Sequence, residues 1–254
     1  MKNKAKILIL DLETSPSEVY VWGLRDQNIS LDQIKHDQYV LMWCAKWLGE
    51  KEVMSDALID HPTTFRDNKR DDRQIALSLR KIMDQADIIV GQNSDNFDIK
   101  WAQELFLKHD IPKPSKSYSI DLLKESRSAY YSISHKLDFR GRQLGIGSKL
   151  PHEGFRLWLA CMRGEKASFE RMRAYCSQDV RLTERYYLKL RPRMKNHPNV
   201  NMFQQGELFT GRLKCPACSS SNIRLNGFNY YSGGKRQILL CGLWIPHELG
   251  REGG

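Results

Sequence analysis

Hydrophobic positions along the chain follow two periods. Residues 7–10, Ile-Leu-Ile-Leu, form an unbroken apolar run of strand length, as expected of a central strand buried on both faces. Residues 18–22 and 38–47 are rich in β-branched and aromatic side chains and predict two more strands. Gly49, Glu50 and Lys51 predict a turn into residues 52–54, giving an antiparallel meander after the buried strand. Residues 71–85 place Ile75, Leu79, Ile82 and Met83 at helical spacing. Residues 87–90 read as a second short buried strand ending at Gly91, and the polar loop 92–98 leads into a helix over 99–109 with Trp101, Leu105 and Phe106 inward. A short strand over 119–122 carries an acid near its end. Helices are predicted over 134–144, broken by Gly145-Ile-Gly147, and over 155–162 and 166–190. This succession predicts an α/β fold, a mixed sheet flanked by helices.

Composition adds a bias. The 254 residues suffice for one large core, or a core domain with a small appendage. Apolar content of 41% and charged content of 28% are ordinary for a globular protein. The net charge of +10 favours an anionic partner, most simply nucleic acid. Residues 190–254 hold nine Lys/Arg against three Asp/Glu, so the excess is concentrated there. The four-residue apolar run behind the basic N-terminus is too short for a signal-peptide core. No stretch approaches the length of a membrane span, so no membrane partner and a cytoplasmic location are expected. Cys44, Cys161 and Cys176 lie in apolar or helical contexts and read as reduced core residues.

The candidate chemistry begins where the first strand ends. Asp11 and Glu13 are two apart, so they share a face of that strand. Two anions so placed repel unless a proton or cation sits between them, and hard divalent ions prefer carboxylate oxygens. Asp98 stands at or near the start of its helix, where an acid also serves as an N-cap. Tyr175 and Asp179 are four apart, on one helical face. Sites in open α/β sheets form at the C-terminal ends of strands. Four carboxylates converging there would hold two divalent ions about 3.5–4 Å apart, one activating a water and the other stabilising a leaving 3′ oxygen. The Tyr175 hydroxyl would orient the water.

Asp11-Leu-Glu13, Asn93-x-x-x-Phe97-Asp98 and Tyr175-x-x-x-Asp179 together resemble the three motifs of the DEDD, or DnaQ-like, 3′–5′ exonucleases. The tyrosine matches the subgroup that includes the proofreading domains of family B DNA polymerases and their free-standing phage and bacterial relatives. The resemblance covers roughly residues 5–190 and implies a ribonuclease H-like fold. It also extends to His135-Lys-Leu and to residues 144–149. It implies Asp11, Glu13, Asp98 and Asp179 as ligands for two Mg²⁺ or Mn²⁺ ions, with Tyr175 positioning the water. It implies Thr14, Asn93 and Phe97 as contacts to the terminal nucleotides, and, more loosely, Lys149 as a phosphate contact. The implied substrate is the 3′ end of single-stranded nucleic acid, DNA in preference to RNA. No polymerase domain follows the third motif, so any proofreading is expected in trans.

Residues 191–212 read as a linker after a domain over 1–190. Over 213–254, Cys215-Pro-Ala-Cys218 forms half of a zinc knuckle, and residues 222–231 and 235–240 predict a hairpin turning at Ser232-Gly-Gly234. This resembles a zinc ribbon whose second half is reduced to Cys241, with His247 as the candidate fourth ligand. Arg212, Lys214, Arg224, Lys235 and Arg236, interleaved with Phe228, Tyr230 and Tyr231, suit a grip on nucleic acid. Two other readings are a non-catalytic nucleic-acid-binding module on a nuclease fold, and a zinc-ribbon adaptor recruiting a polymerase or repair partner.

Overall fold

Strand β1 (Ile7–Thr14) is the axis of the fold. Its residues 7–10 are almost wholly buried, as an apolar run in mid-sheet requires. The computed structural model describes residues 5–194, 197–200, 215 and 220–222, and the backbone of 223–231 and 234–241. Residues 6–187 form one compact unit, and the described residues from 188 onward belong to another.

In the first unit, five strands run in the order β5-β4-β1-β6-β7, with β4 Val40–Trp47, β5 Met54–Ala57, β6 Ile88–Gly91 and β7 Tyr118–Asp121. β4 pairs antiparallel with β1, and β5 antiparallel with β4. β6 runs parallel to β1, and β7 parallel to β6. The sheet is therefore mixed, as expected. The pairing lengths are unequal. β4 accompanies β1 to Thr14, whereas β6 pairs with it only from Ile7 to Ile9. Past Leu10 the two parallel strands part, and the acids lie at that opening.

The helices are α1 (Pro62–Asp67), α2 (Arg73–Met83), α3 (Asp98–Lys108), α4 (Leu122–Ala129), α5 (Leu137–Gln143), α6 (Phe155–Arg163) and α7 (Lys166–Leu190). Neighbouring strand residues point to opposite faces. Trp43 Nε1 donates to Ser78 Oγ on α2 (3.0 Å), while Cys44 Sγ lies 3.7 Å from Ser177 Oγ on α7. Helices thus cover both faces. Asp11 pairs with Cys44 and Glu13 with Met42, so both acids face α7. The long helix is fixed to the sheet by Lys46–Glu184, an ion pair at 2.5 Å with both side chains largely buried.

Four expectations change. The strand expected over 52–54 runs instead as β5, sharing only Met54. The predicted strand over 18–22 shortens to β2 (Glu18–Val19), which pairs only with β3 (Ile34–His36) outside the main sheet. Its β-favouring residues meet no core, and Trp22 is 99% exposed. Propensity without a buried face does not extend a strand. The strand over 119–122 ends at Asp121, because Leu122 opens α4 under an Asp121 cap. The helix expected from 134 begins at Leu137.

In the second unit, β8 (Ile223–Tyr231) and β9 (Gly234–Cys241) pair antiparallel as the hairpin expected, Ile223 opposite Cys241. Residues 191–193 of the expected linker form a 3-10 turn. Cys215 is buried, and its N–H donates to the Ser220 carbonyl at 2.9 Å. Cys218 and His247, most of the linker and the side chain of Cys241 lie outside the described residues.

The buried polar anchor of α2 gives a stability test. Asp72 is fully buried and accepts from the Val40 N–H (3.0 Å), Lys108 Nζ (2.9 Å) and His109 Nε2 (2.7 Å). Replacing it strands these donors, so Asp72→Ala is expected to cost about 3 kcal/mol in chemical denaturation. A loss below about 1 kcal/mol would show that the donors find water instead.

Candidate active site

Each predicted acid reaches the opening by its own route. Asp11 and Glu13 come from β1, and their carboxylate oxygens, with Cys176 Sγ, lie mutually within 4.8 Å. Asp98 is the first residue of α3, next to the N-cap Phe97, near the cap as expected. Its Oδ1 accepts the Leu12 N–H at 2.8 Å, taking the place of a strand partner where β6 has left β1. Asp179 comes from α7, one turn beyond Tyr175, and both are largely buried. Asp98 and Asp179 are not within the 4.8 Å group. Asp179 joins it through its field on Asp11 and Glu13, and Asp98 through the field that Asp11 exerts on it.

Those fields are strong. Burial, then the Asp179 charge, pushes Asp11 up to about 7, against the opposing pull of Lys149 and of the Cys176 thiol. Burial, then Asp11 and Asp179, pushes Glu13 well above the ordinary range. Burial, then Asp11, does the same to Asp98. Asp179 is raised by burial even though Lys149 opposes it. Burial pushes the Cys176 thiol well up, so it remains a donor, reaching Asp11 Oδ2 at 3.4 Å, and not a thiolate ligand.

Among the described residues, Lys149 supplies the one cation in direct contact with these acids. Its ammonium donates to Asp179 Oδ2 (2.5 Å) and to the Tyr175 hydroxyl (2.9 Å). Burial alone would lower its pKa, but the Asp179 charge and these bonds hold it above the usual value. Burial, then Asp179, pushes the Tyr175 phenol up to about 12, so it stays a neutral donor. The other Asp179 oxygen, Oδ1, is buried without a hydrogen-bond partner. An orphaned carboxylate oxygen among acids that are costly to ionise is what a hard divalent cation satisfies. The donor set fits Mg²⁺ or Mn²⁺.

The expected substrate contacts divide between two clefts. Asn93 lines one of about 610 Å³ with Asp11, Lys149, Arg127 and His135. Thr14 lines another of about 380 Å³ with His152, Phe155 and Trp158. Phe97 packs edge-on to Trp101, 6.5 Å between centroids. Two contributors were not foreseen. Cys176, read as a core cysteine, touches Asp11. Asp121, noted only as an acid at a strand end, accepts from both the Asn93 and Leu123 N–H groups (2.9 Å each), fixing the loop that carries Asn93 at φ 65°. The Gly91 that precedes this loop has no room for a side chain, since a Cβ would meet Ser94 Cβ at 2.5 Å.

The family profile of the RNase H superfamily matches residues 8–191, and the chain belongs to that superfamily. Among solved structures the fold is similar to the family B DNA polymerase from the hyperthermophilic archaeon Pyrobaculum calidifontis, with a TM-score of 0.54 and 19% identity. The similarity covers 75% of this chain and 25% of the polymerase, so the chain spans about a quarter of that protein's length. At this identity the likeness is one of fold. No curated protein matches the chain in sequence. The superfamily and the carboxylate cluster together support a nuclease. Among the described residues no helix is long and apolar enough to cross a membrane.

The site's charge predicts a pH effect with a definite sign. Asp11 titrates near 7 in the fold against an ordinary 3.8, so between these values the folded state holds a proton that the unfolded chain has lost. Stability therefore falls as pH rises through that window. Without divalent ions, the melting temperature of Asp11→Asn relative to the parent is expected to increase from about pH 5 to about pH 8. Mg²⁺ should raise the parent's melting temperature more at the higher pH. A pH-independent difference in scanning calorimetry would contradict a raised pKa at Asp11.

Proposed function

We propose that this chain is a metal-dependent 3′–5′ exonuclease that hydrolyses single-stranded nucleic acid, DNA in preference to RNA, and releases nucleoside monophosphates. The observation that carries the reading is the convergence of Asp11, Glu13, Asp98 and Asp179, with Tyr175 one helical turn from Asp179, at the opening beside β1. The DNA preference rests on the likeness of the fold to a DNA polymerase.

The four carboxylates would hold the metal, with two ions as the expected complement. Bound divalent ions would supply an activated water and neutralise charge on the scissile phosphate. The chain's own groups do the rest. Tyr175, a neutral phenol, donates its proton to orient the water and does not ionise. Lys149 fixes that hydroxyl from one side while neutralising part of the Asp179 charge. Its side chain is one-third exposed, so it is also open to an incoming phosphate. Asn93 and Thr14, in their separate clefts, contact the terminal nucleotides, and Phe97 stacks on a base. The basic hairpin over 213–254, with zinc at Cys215, Cys218, Cys241 and His247, extends the grip on the strand. A polymerase or repair partner would be engaged in trans.

Three measurements follow. A 5′-labelled single strand should shorten in steps from its 3′ end with Mg²⁺ or Mn²⁺ but not with EDTA, and Asp11→Ala with Glu13→Ala should abolish the ladder. Tight binding without cleavage by the parent protein would leave a binding module instead. Tyr175→Phe should lower kcat by about 100-fold with little change in KM. Deleting residues 205–254 should raise KM and flatten its salt dependence while kcat persists. An unchanged KM would make the tail an adaptor.

A further inference from the structure

Tyr175 is held by more than its own helix. His152, in the loop between Lys149 and α6, packs against it edge-on, 4.7 Å between centroids at 66°. Trp158 of α6 closes the third side, 5.2 Å from His152 and 6.2 Å from Tyr175, again edge-on. Edge-to-face pairs are directional, so each ring restricts the tilt of the others.

The histidine is itself fixed. The Gly154 N–H donates to its Nδ1 at 3.0 Å, which leaves the proton of the neutral ring on Nε2. That bond depends on Gly154, at φ 64° and ψ −143°, a conformation that side chains disfavour. The next residue, Glu153, pairs with Arg171 at 2.9 Å. The short segment 149–153 therefore meets α7 at Arg171, Tyr175 and Asp179, four residues apart and on one helical stripe. Lys149 holds the hydroxyl and His152 holds the ring. His152 also lines the cleft that contains Thr14.

We propose that His152 is a positioning residue of the nuclease site: fixed by Gly154 and braced by Trp158, its ring sets the plane of Tyr175 and so the place of the Tyr175 hydroxyl at the acidic cluster. The reading rests on the exonuclease assignment for its catalytic consequence, but not for its geometry. Small displacements of an orienting group are costly, about 100-fold for 1 Å. His152 is exposed, and its replacement should leave the fold intact.

The test combines kinetics with NMR of ring-labelled tyrosine in the full chain, the Tyr175 signal being identified by its loss in Tyr175→Phe. His152→Ala should lower kcat about tenfold with KM little changed. It should also shift or broaden the Tyr175 ring signal, because the His152 ring no longer packs on it and Trp158 loses its own contact with His152. His152→Phe, which keeps the ring contacts but cannot accept from the Gly154 N–H, should restore both in part. Gly154→Ala, which strains the turn without touching any ring, should reproduce His152→Ala in part. An unmoved Tyr175 signal in His152→Ala, or an unchanged kcat, would overturn the proposal. If the parent protein shows no metal-dependent cleavage, the exonuclease assignment falls by that result alone, and the NMR arm still decides whether His152 positions Tyr175.

Discussion

The hydrogen bond from the Leu12 N–H to Asp98 Oδ1 joins the two halves of the site. β1 loses its parallel neighbour after Ile9, and a buried strand cannot leave its amides unpaired. The Asp98 carboxylate meets that need and by doing so is carried beside Asp11. The opening between parallel strands that makes room for a ligand is thus also what recruits an acid into it.

Once the acids are gathered, their charge becomes the constraint. Burial and mutual repulsion push Asp11, Glu13 and Asp98 upward, and Asp179 rises despite Lys149. The apolar run of β1 and the helices on both faces supply the stability against which this cluster is held. Such arrangements are common where a site is built for a cation and not for the resting fold. Lys149 offsets part of the charge and leaves Asp179 Oδ1 unpartnered. Helix α7 ties the pieces together, bearing Tyr175, Cys176 and Asp179 within five residues while Glu184 anchors it to Lys46.

Much of this was legible in the chain. The apolar run before Asp11 announced a central strand, and the bounds of α7 agree at both ends, because a 25-residue helix has an unambiguous period. The three motifs indicated the superfamily that the family profile matches, and the acids they name are brought to one opening. Less legible was whatever depends on tertiary partners. Residues 19–22 have strand propensity but no core to lie on, so no local signal separated them from residues 40–47. Asp121 and Cys176 act through groups distant in sequence, Asn93 and Asp11. His152 meets Tyr175 through the path of the loop 149–154 along α7, and a histidine between proline and glutamate carries no mark of that. The zinc ligands proposed for the tail lie largely outside the described residues.

Asp11, Glu13, Asp98 and Asp179 are proposed to form a site for divalent cations. Anomalous diffraction from crystals soaked in Mn²⁺ locates the ion independently of any activity. Manganese density bounded by these four side chains, lost in Asp11→Ala, is expected. Density elsewhere on the protein, or an empty opening at saturating Mn²⁺, would contradict it.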